Sequence, residues 1–353
     1  WGEIWVFVLS AIAIIPLANY IGKATEVLAA HAGPRIGGLL NATLGNAAEL
    51  IITIVAIREG LLELVLASIT GSILGNILLV MGMSMLLGGI KNGVQKFDRR
   101  QASRNAILLL LAVISLVIPS ILGAYIGEED FLRAEALSMG AAVIMIILYI
   151  LGVFYSLRYA RGPFTAPTTI TMHPSKNNHV VESATESKST AVTQQTARHE
   201  WSVRTALIVL ALSTAGVVYM SELLIGAVEP VVLSLGISEF FLGIILIPLI
   251  GNVAEHLVAV KVAIQNQMEL SVEIALASSL QIALFVAPVL VFISLLMGNP
   301  LLLIFNEFEL LALIAGVVIA VFVSEDGVSN WLEGAELLAV YLILALAFFL
   351  LPA

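Results

Sequence analysis

GNAAELIITIVAI, Gly45 to Ile57, sets a glutamate inside an apolar run, and 206 positions further on GNVAEHLVAVKVA, Gly251 to Ala263, does so again. Gly, Asn, Ala and Glu occupy the same places in both copies. The correspondence extends outward. Glu63 matches Glu269, ATEVL with Glu26 matches MSELL with Glu222, and Ser72 with Asn76 has a counterpart in Ser278, Ser279 and Gln281. Asn76 aligns with Gln281 after a one-residue gap. The chain repeats itself, once in each half.

Of the 353 residues, 60% are hydrophobic and 12% charged, with a mean hydropathy of +1.05, whereas soluble domains are about a quarter charged. This composition is that of an integral membrane protein. Ten segments, about 3–24, 36–58, 61–88, 104–122, 133–157, 204–227, 239–264, 270–297, 301–324 and 332–351, read as long and apolar enough to cross a hydrocarbon core. With no cysteine, disulfides and thiolate metal sites are excluded. A net charge of −9, spread over loops and spans, gives no sign of nucleic-acid binding. The first residues run directly into a span without a Met, so one further N-terminal helix is expected upstream, and no cleavable signal peptide is visible.

Five spans precede and five follow a polar insert rich in Ser, Thr, Gln and Asn. Three units result: residues 1–157, a linker at 158–203, and residues 204–353. The loop KNGVQKFDRRQASR, Lys91 to Arg104, carries five basic residues and belongs inside, while the acidic GEEDFLR, Gly127 to Arg133, belongs outside. The linker then lies in the cytoplasm. An odd number of spans per half makes the second half enter from the opposite side. The expected fold is an all-α polytopic membrane protein of ten helices in two inverted-topology repeats of five, an architecture shared with many secondary transporters.

A charged side chain at the centre of a spanning helix costs about 2.5–3.5 kcal/mol, so two in matching positions imply compensation. The Gly before each Asn should loosen the helix and free carbonyls, which a bilayer tolerates only where they line a cavity. Asn46 and Glu49 are three apart, as are Asn252 and Glu255, so each pair shares a helix face. Ser72, Asn76, Ser279 and Gln281 on the following spans add oxygen donors. Two carboxylates in an all-oxygen shell suit a dehydrated Ca²⁺, which takes about six to eight oxygens, better than Mg²⁺. Mn²⁺ stays open, since His256 offers a nitrogen. Without a cation, desolvation and mutual repulsion disfavour two charged glutamates, so the pair should take up protons instead.

The competing reading of Glu49 and Glu255 is an ion pair or a side chain snorkelling to an interface. Both lie halfway along their spans, and the nearest cations, Arg58 and Lys261, are six or more residues away. Asn46, Asn252, Ser72, Asn76, Ser279 and Gln281 are equally residue types that hydrogen-bond between helices. Glu26 and Glu222 sit nearer span ends, where a solvated face competes with a proton pathway or gate, and His256 reads as a neighbour tuning Glu255. Glu63, Glu269 and Glu273 fall near interfaces, and Glu307, Glu309, Glu333 and Glu336 are expected to be peripheral.

At GPRIGGLLNATLGNAAEL with the following GSILGN, and at GNVAEH with ALASSLQIALFVAPVLV, the chain resembles the cation/proton exchanger branch of the calcium/cation antiporter superfamily, the Ca²⁺/H⁺ antiporters. The resemblance covers essentially the whole chain. It implies that Glu49 and Glu255 are the Ca²⁺ and H⁺ carboxylates. It further implies that Asn46, Asn252, Ser72, Asn76, Ser279 and Gln281 line the site, and that Glu26 and Glu222 serve proton entry or gating. The family has eleven helices, so ten here look like the two repeats without the first. The linker has few acids, Glu182, Glu186 and Glu200, unlike the acidic segment of many members. The GTS-x-P-E motif of related Na⁺/Ca²⁺ exchangers is in neither copy.

The function so implied is Ca²⁺/H⁺ antiport by alternating access, with no cofactor, in a prokaryotic inner membrane, the lipid bilayer being the surrounding partner and a homo-oligomer left open. The alternatives are Na⁺-coupled or Mn²⁺-selective exchange, a passive channel, or an intramembrane enzyme. For an enzyme there is no HExxH, GxGD-like aspartate pair or Ser/Lys arrangement in suitable spans.

Overall fold

The computed structural model describes residues 2–126, 131–158 and 201–351. Residues 159–200 of the expected linker and 127–130 of the acidic loop lie outside them. The described chain is helical apart from short connections and one two-stranded ribbon. Eight of its helices are long and apolar enough to cross a membrane: Gly2–Gly33, Leu62–Asn92, Arg99–Gly123, Phe131–Ser156, Val203–Leu235, Glu239–Ile264, Met268–Met297 and Trp331–Phe349. The most apolar windows of Leu62–Asn92 and Met268–Met297 are 89% and 56% buried, against 22 to 44% for the rest. These two stand at the centre of the bundle. The others turn rows such as Ile107, Leu111, Ile114 and Ile118 outward at helical spacing, a large apolar surface that a bilayer covers.

The second and ninth expected spans differ from the sequence reading. Helix α1, Gly2–Leu44, bends sharply at Gly33, whose φ of 84° favours glycine. Across that bend Gly37 lies against Ala29, so the chain doubles back at once. The helix then breaks at Gly45 and Asn46 and restarts as α2, Ala47–Arg58.

The expected span 301–324 is helical only as α13, Glu307–Val323. Leu301, Leu303 and Phe305 are buried in an irregular stretch whose backbone must find partners without water. Three serines supply them: Leu301 N–H donates to Ser294 Oγ at 2.8 Å, Leu303 N–H to Ser138 Oγ at 3.0 Å and Phe305 N–H to Ser120 Oγ at 3.0 Å. Asn306 then starts α13 through a capping box with Glu309. Glu309, expected to be peripheral, is buried: Oε2 accepts the Asn306 N–H at 2.8 Å and Oε1 the Thr70 hydroxyl at 3.2 Å.

The central spans carry wide π-helical turns. Span Leu62–Asn92 consists of α3, Leu62–Leu74, a π turn at Gly75–Val80, and α4, Met81–Asn92. Between the next two long helices, α5 (Arg99–Ile126) and α6 (Phe131–Arg158), the chain passes outside the described residues. The second half has α7, Val203–Gly226, continued by α8, Val228–Leu235. The short α9, Glu239–Phe241, then leads through a π turn at Leu242–Leu246 into α10, Ile247–Ile264. Helix α11, Met268–Gln281, leads through Ile282–Val286 into α12, Ala287–Met297. After α13 the chain ends in α14, Trp331–Phe349.

The crossing of α3 with the π turn before α10 depends on Gly71 and Gly243. A Cβ at Gly71 would run into the Ile244 carbonyl and Pro248, and one at Gly243 would meet Ala67 at 2.8 Å. Small residues allow such backbone approach between membrane helices. At one end of the bundle β1, Gln95–Lys96, pairs antiparallel with β2, Val328–Ser329. Gln95 there also donates to the Ala263 carbonyl at 2.9 Å. At the opposite end Asn299 donates to the Ile57 carbonyl at 2.9 Å, tying α2 to the loop after α12.

Candidate functional site

Where α2 restarts, Asn46 occupies its N-cap position but makes no side-chain cap. Its amide instead donates to Gln281 Oε1 at 2.7 Å, at the end of α11. Glu49 falls in the first turn of α2, where the positive end of the helix dipole favours a carboxylate. It is only 1% exposed. Ser72, one turn before the π segment of the neighbouring span, donates its hydroxyl to Glu49 Oε1.

The second half repeats this pattern. Ser278 donates to Glu255 Oε2 at 2.9 Å, and both serine–glutamate pairs span the same 23 residues. Cross-links join the halves: Asn252 donates to Glu49 Oε2 at 3.4 Å and to Ser72 Oγ at 3.2 Å. Asn76 donates to Ser278 Oγ at 3.0 Å, and Ser278 lies 3.5 Å from Asn46 Oδ1. These eight side chains thus form a central network of two adjoining hydrogen-bonded groups, Glu49, Ser72 and Asn252 in one and Glu255, Ser278, Asn76, Asn46 and Gln281 in the other, each drawing on both halves. Among the described residues no three His, Asp or Glu side chains converge on one point. Two carboxylates therefore depend on amides and hydroxyls to complete any cation shell.

Two expectations need correction. Ser279 is buried beside the network but bonds the Ala275 carbonyl of its own helix at 3.0 Å and the Ile73 carbonyl at 3.5 Å. Ser278 takes the place predicted for it. The helical period gives the reason: Ser72 and Asn76 are four apart and Ser278 and Gln281 three apart, both same-face spacings, whereas Ser279 and Gln281 are two apart and point away from each other.

The second correction concerns Gly251. It does not loosen its helix, which runs unbroken from Ile247 to Ile264, the irregularity lying upstream at Leu242–Leu246. A Cβ at Gly251 would touch Glu49 Cβ at 3.5 Å and its Cα at 3.6 Å. Its use is the close approach of α10 to α2. At Gly45 and Asn46 the expected loosening does occur.

The three residues considered for proton passage or gating lie elsewhere. His256 is buried and neither ring nitrogen has a hydrogen-bond partner among the described residues. Glu26 is exposed on α1. Glu222, near the end of α7, forms an ion pair with Arg58 at the end of α2, Nη1 to Oε1 2.9 Å, with both side chains about half exposed.

A family model described as "Sodium/calcium exchanger protein" matches residues 2–158 and 205–350. The chain is 43% identical over 352 residues to the Ca(2+)/H(+) antiporter ChaA of Bacillus subtilis (strain 168), covering 99% of this chain and 93% of that protein. It is also 43% identical to a Ca(2+)/H(+) antiporter of Synechocystis, covering 100% and 92%. Among solved structures, native YfkE is similar at 40% identity with a TM-score of 0.79, over 98% of this chain and 92% of that one.

Proposed function

Because this chain belongs to the sodium/calcium exchanger protein family, we propose that it is a multi-pass membrane antiporter that exchanges Ca²⁺ for H⁺, a transporter and not an enzyme. The observation that carries the reading is the pair of serine-bound glutamates, Glu49 with Ser72 and Glu255 with Ser278, each serine–glutamate pair reached by an asparagine of the other half, Asn252 for the first and Asn76 for the second. The Bacillus and Synechocystis relatives are Ca(2+)/H(+) antiporters, which agrees with it, and their bacterial origin supports a prokaryotic inner membrane.

Ca²⁺ is the cargo. Glu49 and Glu255 supply its charge balance, and Asn46, Asn252, Ser72, Asn76, Ser278 and Gln281 supply neutral oxygens, a hard flexible shell of the kind Ca²⁺ takes. One Ca²⁺ between two carboxylates and two protons on them leave the same net charge. The same two residues therefore serve both ions in turn, and burying either form avoids a bare charge in the bilayer.

Alternating access is assigned to two inverted repeats of five spans, residues 1–157 and 204–353, joined by the cytoplasmic linker 158–203. The recurrence of the serine–glutamate bond at the 206-residue offset supports this. Helices α1 and α7 are the moving pair, and Glu26 and Glu222 on them govern gating or proton entry.

Proteoliposomes loaded with acid and given external Ca²⁺ test the proposal. Uptake should rise with the proton gradient and collapse when the gradient is dissipated. Flux indifferent to that gradient, or driven by Na⁺ alone, would overturn it.

A further inference from the structure

The face that carries β1 and β2 also holds a small pocket of about 10 Å³, open toward solvent and outside the central network, lined by Asp98, Gln101 and Asn105 of the first half and Glu269, Val272 and Glu273 of the second. Glu269 and Glu273 are one turn apart on α11, and Gln101 and Asn105 are one turn apart on α5, so two carboxylates face two amides. Gln101 Nε2 donates to Glu273 Oε1 at 2.8 Å, which leaves the Gln101 carbonyl oxygen available. Neither glutamate is ion-paired among the described residues.

Asn105 is the anomaly. It is 1% exposed, and both its amide nitrogen and its carbonyl oxygen lack a hydrogen-bond partner among the described residues. A buried amide left so costs about 1–3 kcal/mol per unsatisfied group, and a leucine would fill the space without that cost. Asp98 does not explain it, because Asp98 Oδ1 already accepts the Arg100 and Gln101 backbone N–H groups at the start of α5.

We propose that this cavity is a second cation site, in which Glu269, Glu273, Gln101 and Asn105 hold a partly hydrated Ca²⁺ before it reaches, or after it leaves, the central network. Two carboxylates and two amide oxygens offer up to six hard donors. Asp98 does not converge with the two glutamates, no three His, Asp or Glu side chains doing so among the described residues, so the shell is completed by water and the affinity is low, with a Kd on the order of 1 mM. Position supports a waiting role: Glu273 is five residues before Ser278 on one helix, about 7.5 Å of helical rise. Asn105 Oδ1 gains a ligand and its N–H₂ a carboxylate or water acceptor, which removes the anomaly. The choice of Ca²⁺ among divalent cations rests on the function proposed above; the site itself does not.

The test isolates the cavity by neutralising the central pair. The full chain carrying E49Q/E255Q, purified in detergent, is dialysed to equilibrium against ⁴⁵Ca²⁺ up to about 10 mM. One saturable weak site is expected, lost on adding E269Q/E273Q, which preserves side-chain volume. Asn105→Leu in the E49Q/E255Q background should weaken it at least about tenfold, a shift of about 1.4 kcal/mol, and carries the test should the quadruple variant not be monodisperse. Absence of saturable binding to E49Q/E255Q overturns the proposal. So does binding that survives both E269Q/E273Q and Asn105→Leu. The readout is binding without transport, so a failure of proton-coupled flux in proteoliposomes would leave it unchanged.

Discussion

Asn252, in the second half of the chain, holds Glu49 of the first through its side-chain amide, 3.4 Å from Oε2. The same amide reaches Ser72 Oγ at 3.2 Å, and that hydroxyl is itself donated to Glu49. One carboxylate is thus held by side chains of two elements, α3 of its own half and α10 of the other. A displacement of either half relative to the other must change how Glu49 is bonded, which gives a physical route from carboxylate occupancy to conformation.

Neutralising either glutamate should therefore abolish exchange without unfolding the protein. Glu49→Gln and Glu255→Gln keep shape and part of the hydrogen bonding but remove the charge that balances Ca²⁺ and the group that carries the proton. We expect Ca²⁺ uptake into proteoliposomes at background level for each, with a monodisperse elution profile. Proton-coupled uptake in either variant would show that the remaining carboxylate suffices.

The two adjacent serines of α11 should behave differently. Ser278 bonds Glu255 and receives Asn76, and a hydrogen bond to a charged group is worth about 1.5–3 kcal/mol. Ser278→Ala should weaken central Ca²⁺ binding by at least about tenfold. Ser279→Ala removes a bond to its own helix and a long one to Ile73, and its Kd should stay within about threefold of the parent. Equal effects would remove the distinction drawn from the geometry. Calcium titration of the two purified variants makes the comparison.

Much of this arrangement is legible in the sequence, because a carboxylate in an apolar run is rare and two at matching positions are rarer. Asn46, Glu49, Ser72 and their counterparts follow from that offset. Ser278 was equally accessible: its offset from Ser72 is the 206 residues that separate Glu49 from Glu255, with no gap. Hydropathy misleads at LLLIF, Leu301 to Phe305, since an apolar run reads alike whether helical or extended, and the partners of its N–H groups come from three separate helices. The signature NEFE, Asn306 to Glu309, marks the true helix start. The π turns at Gly75–Val80 and Ile282–Val286 carry no comparable mark. They answer to tertiary packing, which local pattern does not encode.

The extended stretch gives its own prediction. Ser120 receives the Phe305 N–H, and its one hydroxyl proton is shared between the Leu116 carbonyl of its own helix at 2.9 Å and the Leu303 carbonyl at 3.1 Å. Ser120→Ala leaves a buried N–H and carbonyl without these partners and should cost about 1–3 kcal/mol, seen as a lower melting temperature in detergent. Ser115, partly exposed and bonded among the described residues to the Leu111 carbonyl of its own helix, is the control, and Ser115→Ala should leave the melting temperature unchanged.

Gly71 and Gly75 lie one turn apart in the same span and should respond oppositely to alanine. At Gly71 the added methyl would overlap the Ile244 carbonyl, a backbone atom that cannot rotate away, whereas at Gly75 nothing lies within 4 Å. Overpacking of this kind costs about 1–3 kcal/mol, so Gly71→Ala should melt earlier and lose transport by separating α3 from α10. Gly75→Ala should hold or raise the melting temperature, since alanine favours a helix over glycine by up to about 1 kcal/mol. A harmless Gly71→Ala would place the helix crossing elsewhere.

The Arg58–Glu222 pair decides between two roles for Glu222. At 2.9 Å and about half exposed, it bridges the end of α2 to the end of α7, so as an ion pair it adds little stability and is screened by salt. Its interest is that α7 is proposed to move while α2 carries Glu49. If the pair acts as a latch, the sign of each partner is interchangeable: Arg58→Glu should impair exchange, more at low than at high ionic strength, and the R58E/E222R swap should restore it. If Glu222 instead carries protons, an arginine at that position cannot replace it, and the swap should be as impaired as Glu222→Gln. Initial rates of Ca²⁺ uptake for the three variants at two salt concentrations separate these outcomes. The exposure of the pair and its distance from the central network favour the latch.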